Sequence, residues 1–196
     1  MTSVMGSFML RGDSAPIIET ERMVIRVLDP SQAEMMVRFR RENRHFLRDW
    51  EPTRSEEFFT EAFWQLQLRM ALRHFRDQSH LSFTLLNKAQ TEVLGVCNYS
   101  NIIRGTFQSC HLGYAIGEKH QSHGFMGEAI THTLNFVFDE LRLHRVMANY
   151  MPRNKKSGKL LTRMGFNIEG QAEQYLLING TWEDHILTSK INPQAM

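Results

Sequence analysis

Cysteine is scarce in this sequence: only Cys97 and Cys110 occur in 196 residues. Two cysteines cannot form the framework of a disulfide-stabilised scaffold, so we expect two free thiols. Net charge is also small, because 23 lysines and arginines face 21 aspartates and glutamates, which gives +2 with neutral histidines. That balance excludes nucleic-acid binding through overall basicity, so any RNA contact requires a local basic patch.

The sequence also lacks long hydrophobic runs. No segment approaches the roughly 18 consecutive apolar residues of a membrane-spanning helix. The residues before Glu19 lack the charged start and the continuous apolar stretch of an export signal. We therefore expect a cytoplasmic protein with no membrane partner.

The residues that are present suffice for one folded domain. Hydrophobic residues make up 42% and charged residues 22% of the chain, which is typical of globular proteins. The length suits a single domain with a substantial core. Residues 1–18 are small, polar and dotted with methionine. We predict a flexible leader over residues 1–18 and one domain over residues 19–196.

Periodicity predicts strands and helices mixed around one sheet, which is an α/β or α+β domain. Strands are predicted from residue 21, at 80–86, 93–103, 108–116 and 145–150, and as a hairpin, 168–178 and 182–189, across Asn179-Gly180. Helices are predicted after Pro30, over 55–76 with Ser55 as cap, from Gly124, and from Asn154 to Gly165. The 55–76 helix is expected to have its apolar positions at Phe59, Phe63, Leu66 and Met70.

The most informative stretch is residues 113–129, in which a strand ends, a polar turn follows and a helix begins near Gly124. The unpaired N–H groups and the dipole at such a helix start attract a phosphate group. Gly124 and Gly127 permit close approach of a ligand to the backbone, and Ser122 and His123 can add donors. An ordinary tight turn that binds nothing explains the same residues.

A second constellation follows at Asn154 and Ser157, which lie three residues apart near the start of the next helix. This spacing places both side chains on one face. Both residues can also serve only as caps of that helix.

Taken together, the turn, the following strand, Asn154 with Ser157, and Gly165-Phe166 resemble the GNAT acetyltransferase superfamily from Thr20 onward. The resemblance implies a central mixed, splayed sheet flanked by helices, acetyl-CoA as cosubstrate, and no metal. It assigns the pyrophosphate of coenzyme A to the turn, the pantetheine arm to a strand backbone, and the thioester to the flank of the Asn154 helix. The implied cofactor-binding residues, with Gly127 added, are Ala115, Ile116, Gln121, Ser122, His123, Gly124, Phe125, Met126, Gly127, Asn154 and Ser157.

Two positions depart from the family pattern. Met126 stands where the motif usually has glycine or alanine, which a backbone-binding turn can tolerate. Leu161 stands where many members carry the tyrosine that protonates the leaving thiolate. Ser157 is the nearest hydroxyl on the same turn, and we predict that it is the catalytic residue.

Four segments, residues 42–52, 100–105, 148–154 and 175–180, are similar to the members that acetylate the N-terminal alanine of a small-subunit ribosomal protein. The resemblance implies direct transfer from acetyl-CoA to that α-amine in a ternary complex. The alternatives are acetylation of a small-molecule amine, and a ribosome-assembly or ribosome-binding factor that does not use catalysis. A carboxylate such as Glu51 could act through water, but the sequence assigns no general base.

Six arginines cluster in the segment Arg38–Arg54, which is either a solvated helix face or a patch that contacts rRNA. The second reading predicts that charge reversal at Arg40, Arg41 and Arg44 abolishes ribosome association. His120 and His123 have metal-like spacing but no third ligand nearby, so we assign no metal site.

Overall fold

The computed structural model describes residues 8–9 and 15–194. Its strands are β1 (Phe8–Met9), β2 (Ile17–Glu19), β3 (Met23–Arg26), β4 (Leu81–Asn87), β5 (Val93–Ile103), β6 (Ser109–Ile116), β7 (Arg145–Met147), β8 (Asn167–Ile178) and β9 (Thr181–Ile191). Its helices are α1 (Ala33–Glu42), α2 (Arg44–Leu47), α3 (Glu61–Arg76), α4 (Phe125–Asp139) and α5 (Lys155–Arg163). No helix in the described part of the chain is long and apolar enough to cross a membrane.

Within the described residues, the strands form one nine-stranded sheet in the order β1-β2-β3-β4-β5-β6-β7-β9-β8. Neighbouring strands are antiparallel except β6 and β7, which run parallel. The β6–β7 ladder contains three residue pairs and ends where His111 faces Met147. β6 continues for five residues beyond that point, so the sheet opens between these two strands. The predicted mixed, splayed sheet is confirmed.

The two faces of the sheet carry separate cores. The larger core packs α4 and α5 against the sheet and includes Ile130, Phe136 and Leu161. The smaller core lies under α1 and α3 and includes Phe39 and Leu68. Apolar burial on both faces is what fixes the helices in place, because it removes this surface from water.

The predicted 55–76 helix is wrong at its start. A short 3₁₀ turn, Glu56–Phe59, comes first, and then Thr60 is extended with φ −105° and ψ 151°. The Thr60 hydroxyl accepts from the N–H of Phe63 at 3.4 Å and caps α3, which takes the role assigned to Ser55. Packing also selects a different face of the helix. Leu68 and Ala71 are buried, whereas Leu66 is 50% and Met70 40% exposed.

The boundary predicted at residue 18 falls inside a strand. Ile17 and Ile18 belong to β2, which pairs with β3, and the Ile18 side chain is fully buried. Phe8 and Met9 pair with β2 as well. The remainder of the predicted leader, residues 1–7 and 10–14, lies outside the described residues.

Candidate active site

The candidate site begins at the open edge of β6. Beyond His111 this strand is paired with β5 only, so one side of residues 113–116 lacks a strand partner within the described part of the chain. Ala115 and Ile116, two of the predicted cofactor-binding residues, lie on this edge. Their side chains point to opposite faces, because Ala115 packs with the core under α1 and Ile116 with the core under α4. Free backbone groups along an open edge can hydrogen-bond an extended ligand, as another strand would.

The predicted phosphate turn follows β6 directly and has unusual backbone geometry. Ser122 has φ 64° and Gly124 has φ 82°, so both residues are left-handed. Gly124 is the N-cap of α4, a helix of 15 residues, and no side chain from the described residues caps it. The first N–H groups of α4 therefore remain available at the positive end of the helix dipole. This arrangement suits a bound phosphate.

The substituted position in the turn does not obstruct it. The Met126 side chain is buried in the core under α4, so only its backbone faces the turn. Gly127 faces α5: a Cβ there would lie 3.5 Å from Nη2 of Arg163 and 3.6 Å from a methyl carbon of Leu160. These are ordinary van der Waals distances, so the packing of α4 on α5 does not require glycine at 127, and the contact of Gly127 with a cofactor stays a prediction.

Arg22 is a residue of this site that the sequence analysis missed. Its Nε donates to Glu128 Oε2 at 2.7 Å and its Nη1 donates to the carbonyl of His123 at 2.7 Å. Its guanidinium also lies 4.7 Å from the centre of the Phe125 ring. The pKa of Glu128 is lowered: burial opposes ionisation, but hydrogen bonds from Thr20 and Arg22 outweigh it. Arg22 therefore holds the turn and neutralises the carboxylate in the first turn of α4.

The wall opposite the open edge is α5. Asn154 caps this helix, because its Oδ1 accepts from the N–H of Ser157 at 3.1 Å. The Ser157 hydroxyl lies 2.7 Å from the hydroxyl of Tyr114, a β6 residue that the sequence analysis did not single out. Leu161 is 1% exposed and belongs to the core. Capping is thus part of the role of Asn154, and Ser157 has a second partner.

One polar contact joins the two walls near the turn. The Lys156 ammonium donates to Oε1 of Gln121 at 2.6 Å. This contact draws a predicted turn residue to the first turn of α5. It also brings a positive charge beside the turn, which favours an anionic ligand there.

A polar contact at the far end of β6 and a separate pocket both involve the α1 region. Asn43, at the end of α1, accepts the N–H of Glu118 at 2.8 Å, just past β6. A cavity of about 160 Å³ lies beside α1 and α2. Its lining includes Arg40, Glu51, Arg54 and, from the β8–β9 turn, Asn179. The N–H of Asn179 donates to the carbonyl of Glu51 at 3.1 Å, so the hairpin closes one side of this pocket.

The arginines of the segment Arg38–Arg54, which the sequence offered as an rRNA-binding patch, are engaged by other groups of the protein. Each arginine has a protein partner: Arg38 with Glu34, Arg40 with Glu51, Arg41 with the carbonyl of Phe59, Arg44 with Glu56, Arg48 with Asp49, and Arg54 with Glu51. Arg40 is 7% exposed, and burial lowers its pKa although the Glu51 carboxylate 2.8 Å away opposes this. Reversing its charge would break a buried ion pair, so the triple reversal is no test of RNA contact.

The remaining polar residues near the turn have ordinary partners. His120 Nε2 lies 3.0 Å from Oε1 of Glu92. Over residues 8–9 and 15–194, no three histidine, cysteine or acidic side chains come together in a group that could hold a metal ion. Cys97 and Cys110 are free thiols, and both are buried.

Comparison with known proteins agrees with this geometry. Residues 22–167 match the family described as acetyltransferase (GNAT) domain. The chain is 43% identical over 176 residues to the [ribosomal protein uS5]-alanine N-acetyltransferase of Escherichia coli K12, which covers 90% of this chain and 91% of that protein. The crystal structure of ribosomal-protein-S5-alanine acetyltransferase from Vibrio fischeri has a TM-score of 0.88 and 39% identity, and the match covers 92% of this chain and 98% of that one.

Mycobacterium smegmatis RimJ, solved in complex with CoA-disulfide, has a TM-score of 0.81 and 25% identity over 88% of this chain and 84% of its own. The open edge, the phosphate turn and the α5 wall thus occur in a chain whose sequence and fold both match one enzyme family. The chain belongs to the GNAT acetyltransferase family.

Proposed function

We propose that this enzyme transfers the acetyl group of acetyl-CoA to the N-terminal α-amine of a ribosomal protein that begins with alanine. The observation that carries the proposal is 43% identity, over nine-tenths of both chains, to an enzyme named for that reaction on uS5. At the same time the chain retains an open β6 edge beside a phosphate-type turn.

In this proposal the residues around the open edge hold acetyl-CoA. Backbone N–H groups of the turn, at the start of α4, bind the pyrophosphate, and Arg22 and Lys156 lie around them. The edge at Ala115 and Ile116 binds the pantetheine arm, and Ser157 faces the thioester. Backbone donors positioned before reaction supply most of the catalytic effect, because they need no reorganisation as charge develops.

The acceptor amine needs little help to become reactive. An α-amino group has a pKa of about 7.7–8.0, so on the order of a tenth is neutral at pH 7. Transfer therefore proceeds directly in a ternary complex, with water as the acceptor of the proton. Glu51 is not assigned as the base, because Arg40 and Arg54 already occupy its carboxylate.

We take the cavity beside α1 and α2 as the site of the acceptor. Its charges count against a polyamine there. Glu51 is its central carboxylate, and two guanidinium groups already neutralise it. Arg44 and Arg48 add positive charge to the lining. A polycation would meet net repulsion there.

Contact of the arginine cluster with rRNA would rest on its exposed members, which are Arg38, Arg41, Arg44, Arg48 and Arg54. Their contacts within the protein must be exchanged for phosphate contacts, and so ribosome association should weaken as salt rises. Because ribosomal proteins are made in the cytoplasm, we also propose that the enzyme works there.

A peptide assay tests the proposal. The enzyme is incubated with acetyl-CoA and a peptide that begins with alanine, and mass spectrometry locates the acetyl group. The matched controls are the same peptide with a blocked N-terminus and a panel of polyamines. We expect acetylation of the free α-amine only. Turnover of polyamines alone would favour a small-molecule enzyme, and tight ribosome binding without any turnover would favour a binding factor.

A further inference from the structure

Tyr114 and Ser157 form a bridge across the opening of the sheet. Tyr114 lies on the part of β6 that pairs with β5 but not with β7, and Ser157 lies on the first turn of α5. Their hydroxyl oxygens are 2.7 Å apart, which is the normal distance for an O–H···O hydrogen bond. The ring of Tyr114 packs against the main core, so the hydroxyl is held in position by a rigid support.

Each of the two hydroxyl groups carries one proton. Only one of these protons can lie in the hydrogen bond between the two oxygens. Thr131, Thr133 and Thr162 each donate their hydroxyl proton to the carbonyl four residues earlier in their helix. Ser157 makes no such bond within the described residues, and its hydroxyl contacts Tyr114 instead. The 2.7 Å distance fits either hydroxyl as the donor; we assign that role to Tyr114, because a phenol is a stronger acid than an aliphatic alcohol. The proton of Ser157 is then free to point elsewhere.

Burial keeps Tyr114 in the form that can donate. The pKa of its hydroxyl is raised to about 12, mainly by burial, although the bond with Ser157 lowers it. Tyr114 therefore stays protonated throughout the working range of the enzyme. It is a permanent hydrogen-bond donor to Ser157 and too weak an acid to be the ultimate proton source for a thiolate whose thiol has a pKa of about 8.5.

We propose that Tyr114 is a positioning residue that directs the free proton of Ser157 toward the leaving sulfur of acetyl-CoA. The inference rests on the proposed function of the site. In the step, the amine nitrogen bonds to the acetyl carbon and the carbon–sulfur bond breaks with its electron pair on sulfur. The amine proton goes to water. Ser157 donates a hydrogen bond to the thiolate, which takes its proton from solvent as CoA leaves. Leu161 cannot supply a hydroxyl, so the donor is Ser157, about one turn earlier on the same helix.

A double-mutant cycle on peptide acetylation tests the pairing. The variants are Tyr114→Phe, Ser157→Ala and the double substitution, with kcat and the KM for acetyl-CoA measured for each. We expect Tyr114→Phe to lower kcat about two- to tenfold, the range for one hydrogen bond, with the KM unchanged. Ser157→Ala should lower kcat about ten- to a hundredfold. The double variant should equal Ser157→Ala, because Tyr114 acts through Ser157.

Tyr99→Phe is the matched control. It also removes a buried tyrosine hydroxyl, which lies 2.8 Å from the hydroxyl of Thr133 under α4. Its kcat should stay at the parental value. Equal losses in Tyr99→Phe and Tyr114→Phe would assign both effects to packing and overturn the proposal, as would independent losses that multiply in the double variant.

A second measurement needs no acceptor. The pKa of the thiol in bound CoA is read from the ultraviolet absorbance of the thiolate during a pH titration. Tyr114→Phe should raise that pKa by about 0.5–1, and should have no effect in the Ser157→Ala background. An unchanged thiol pKa in Tyr114→Phe would overturn the proposal. Absence of peptide acetylation by the parental enzyme would contradict the proposed function alone, since the titration would still report on this pair.

Discussion

Replacing Arg22 tests whether the turn before α4 binds a phosphate. Arg22→Met keeps an apolar stem of similar length but removes the guanidinium bonds to Glu128 and to the His123 carbonyl, and leaves the backbone N–H of residue 22 bonded to Glu128. Hydrogen bonds to charged groups contribute about 1.5–3 kcal/mol when they are buried. The Arg22 side chain is 41% exposed, so we reduce the effect to about 1–2 kcal/mol for the whole group.

The loss should appear mainly in coenzyme A affinity, for two reasons. The His123 carbonyl loses the donor that fixes the turn, and the Glu128 carboxylate loses its ion-pair partner and keeps a net negative charge beside the incoming pyrophosphate. A loss of about 1–2 kcal/mol corresponds to a dissociation constant about 5–30 times higher. Isothermal titration calorimetry with CoA measures this directly. Adding Glu128→Gln to Arg22→Met should recover part of the affinity, because it removes the uncompensated charge.

Arg38→Met is a suitable control, since Arg38 also pairs with a glutamate but lies on α1, remote from the turn in sequence. It should bind CoA with the parental affinity. If Arg22→Met also binds CoA within twofold of the parental value while it remains folded, then either the turn is not the phosphate site or Arg22 serves only to join β3 to α4.

Three further outcomes are expected. Gly124→Glu should abolish measurable CoA binding in calorimetry, yet leave a folded protein by circular dichroism, because a left-handed side chain costs about 1–2 kcal/mol; retained binding would remove the phosphate assignment. Cys97 and Cys110 should resist iodoacetamide at pH 8 until the protein is unfolded, because burial raises their pKa to about 11 and about 12; rapid native labelling by mass spectrometry would contradict this. Gly158→Ala should lower the free energy of unfolding by about 1–3 kcal/mol, because its Cβ would lie 2.8 Å from the ring of Tyr150; an unchanged denaturation midpoint would show that the ring can move aside.

Local signals made parts of the fold predictable. The β8–β9 hairpin needed only its turn, in which Asn179 and Gly180 both adopt positive φ, 45° and 81°. The start of α4 was likewise marked by Gly124. The N-cap of α3 was not marked in this way, because Ser55 and Thr60 are both residue types that cap helices well. Packing selects Thr60.

Contacts between distant segments were beyond the reach of the sequence. Arg22 lies 106 residues before Glu128, and Tyr114 lies 43 residues before Ser157. Both pairs depend on how α4 and α5 dock on the sheet, and no spacing rule links them. The burial of Arg40 was equally beyond the reach of the sequence. Its place among many arginines suggested a solvated helix face, but the side chain is buried against Glu51.

The short ladder between β6 and β7 also bears on how the molecule holds together. With three residue pairs at that junction, the sheet consists of a larger N-terminal unit, β1–β6, and a smaller C-terminal unit of β7, β9 and β8. Partial opening of this junction costs few backbone hydrogen bonds, so the smaller unit can exchange its amide protons by local opening rather than by global unfolding. A ligand that spans the gap closes this route by mass action. Saturation with cosubstrate should thus slow amide exchange in β7, β8 and β9 and lengthen the survival of the protein in a proteolysis assay.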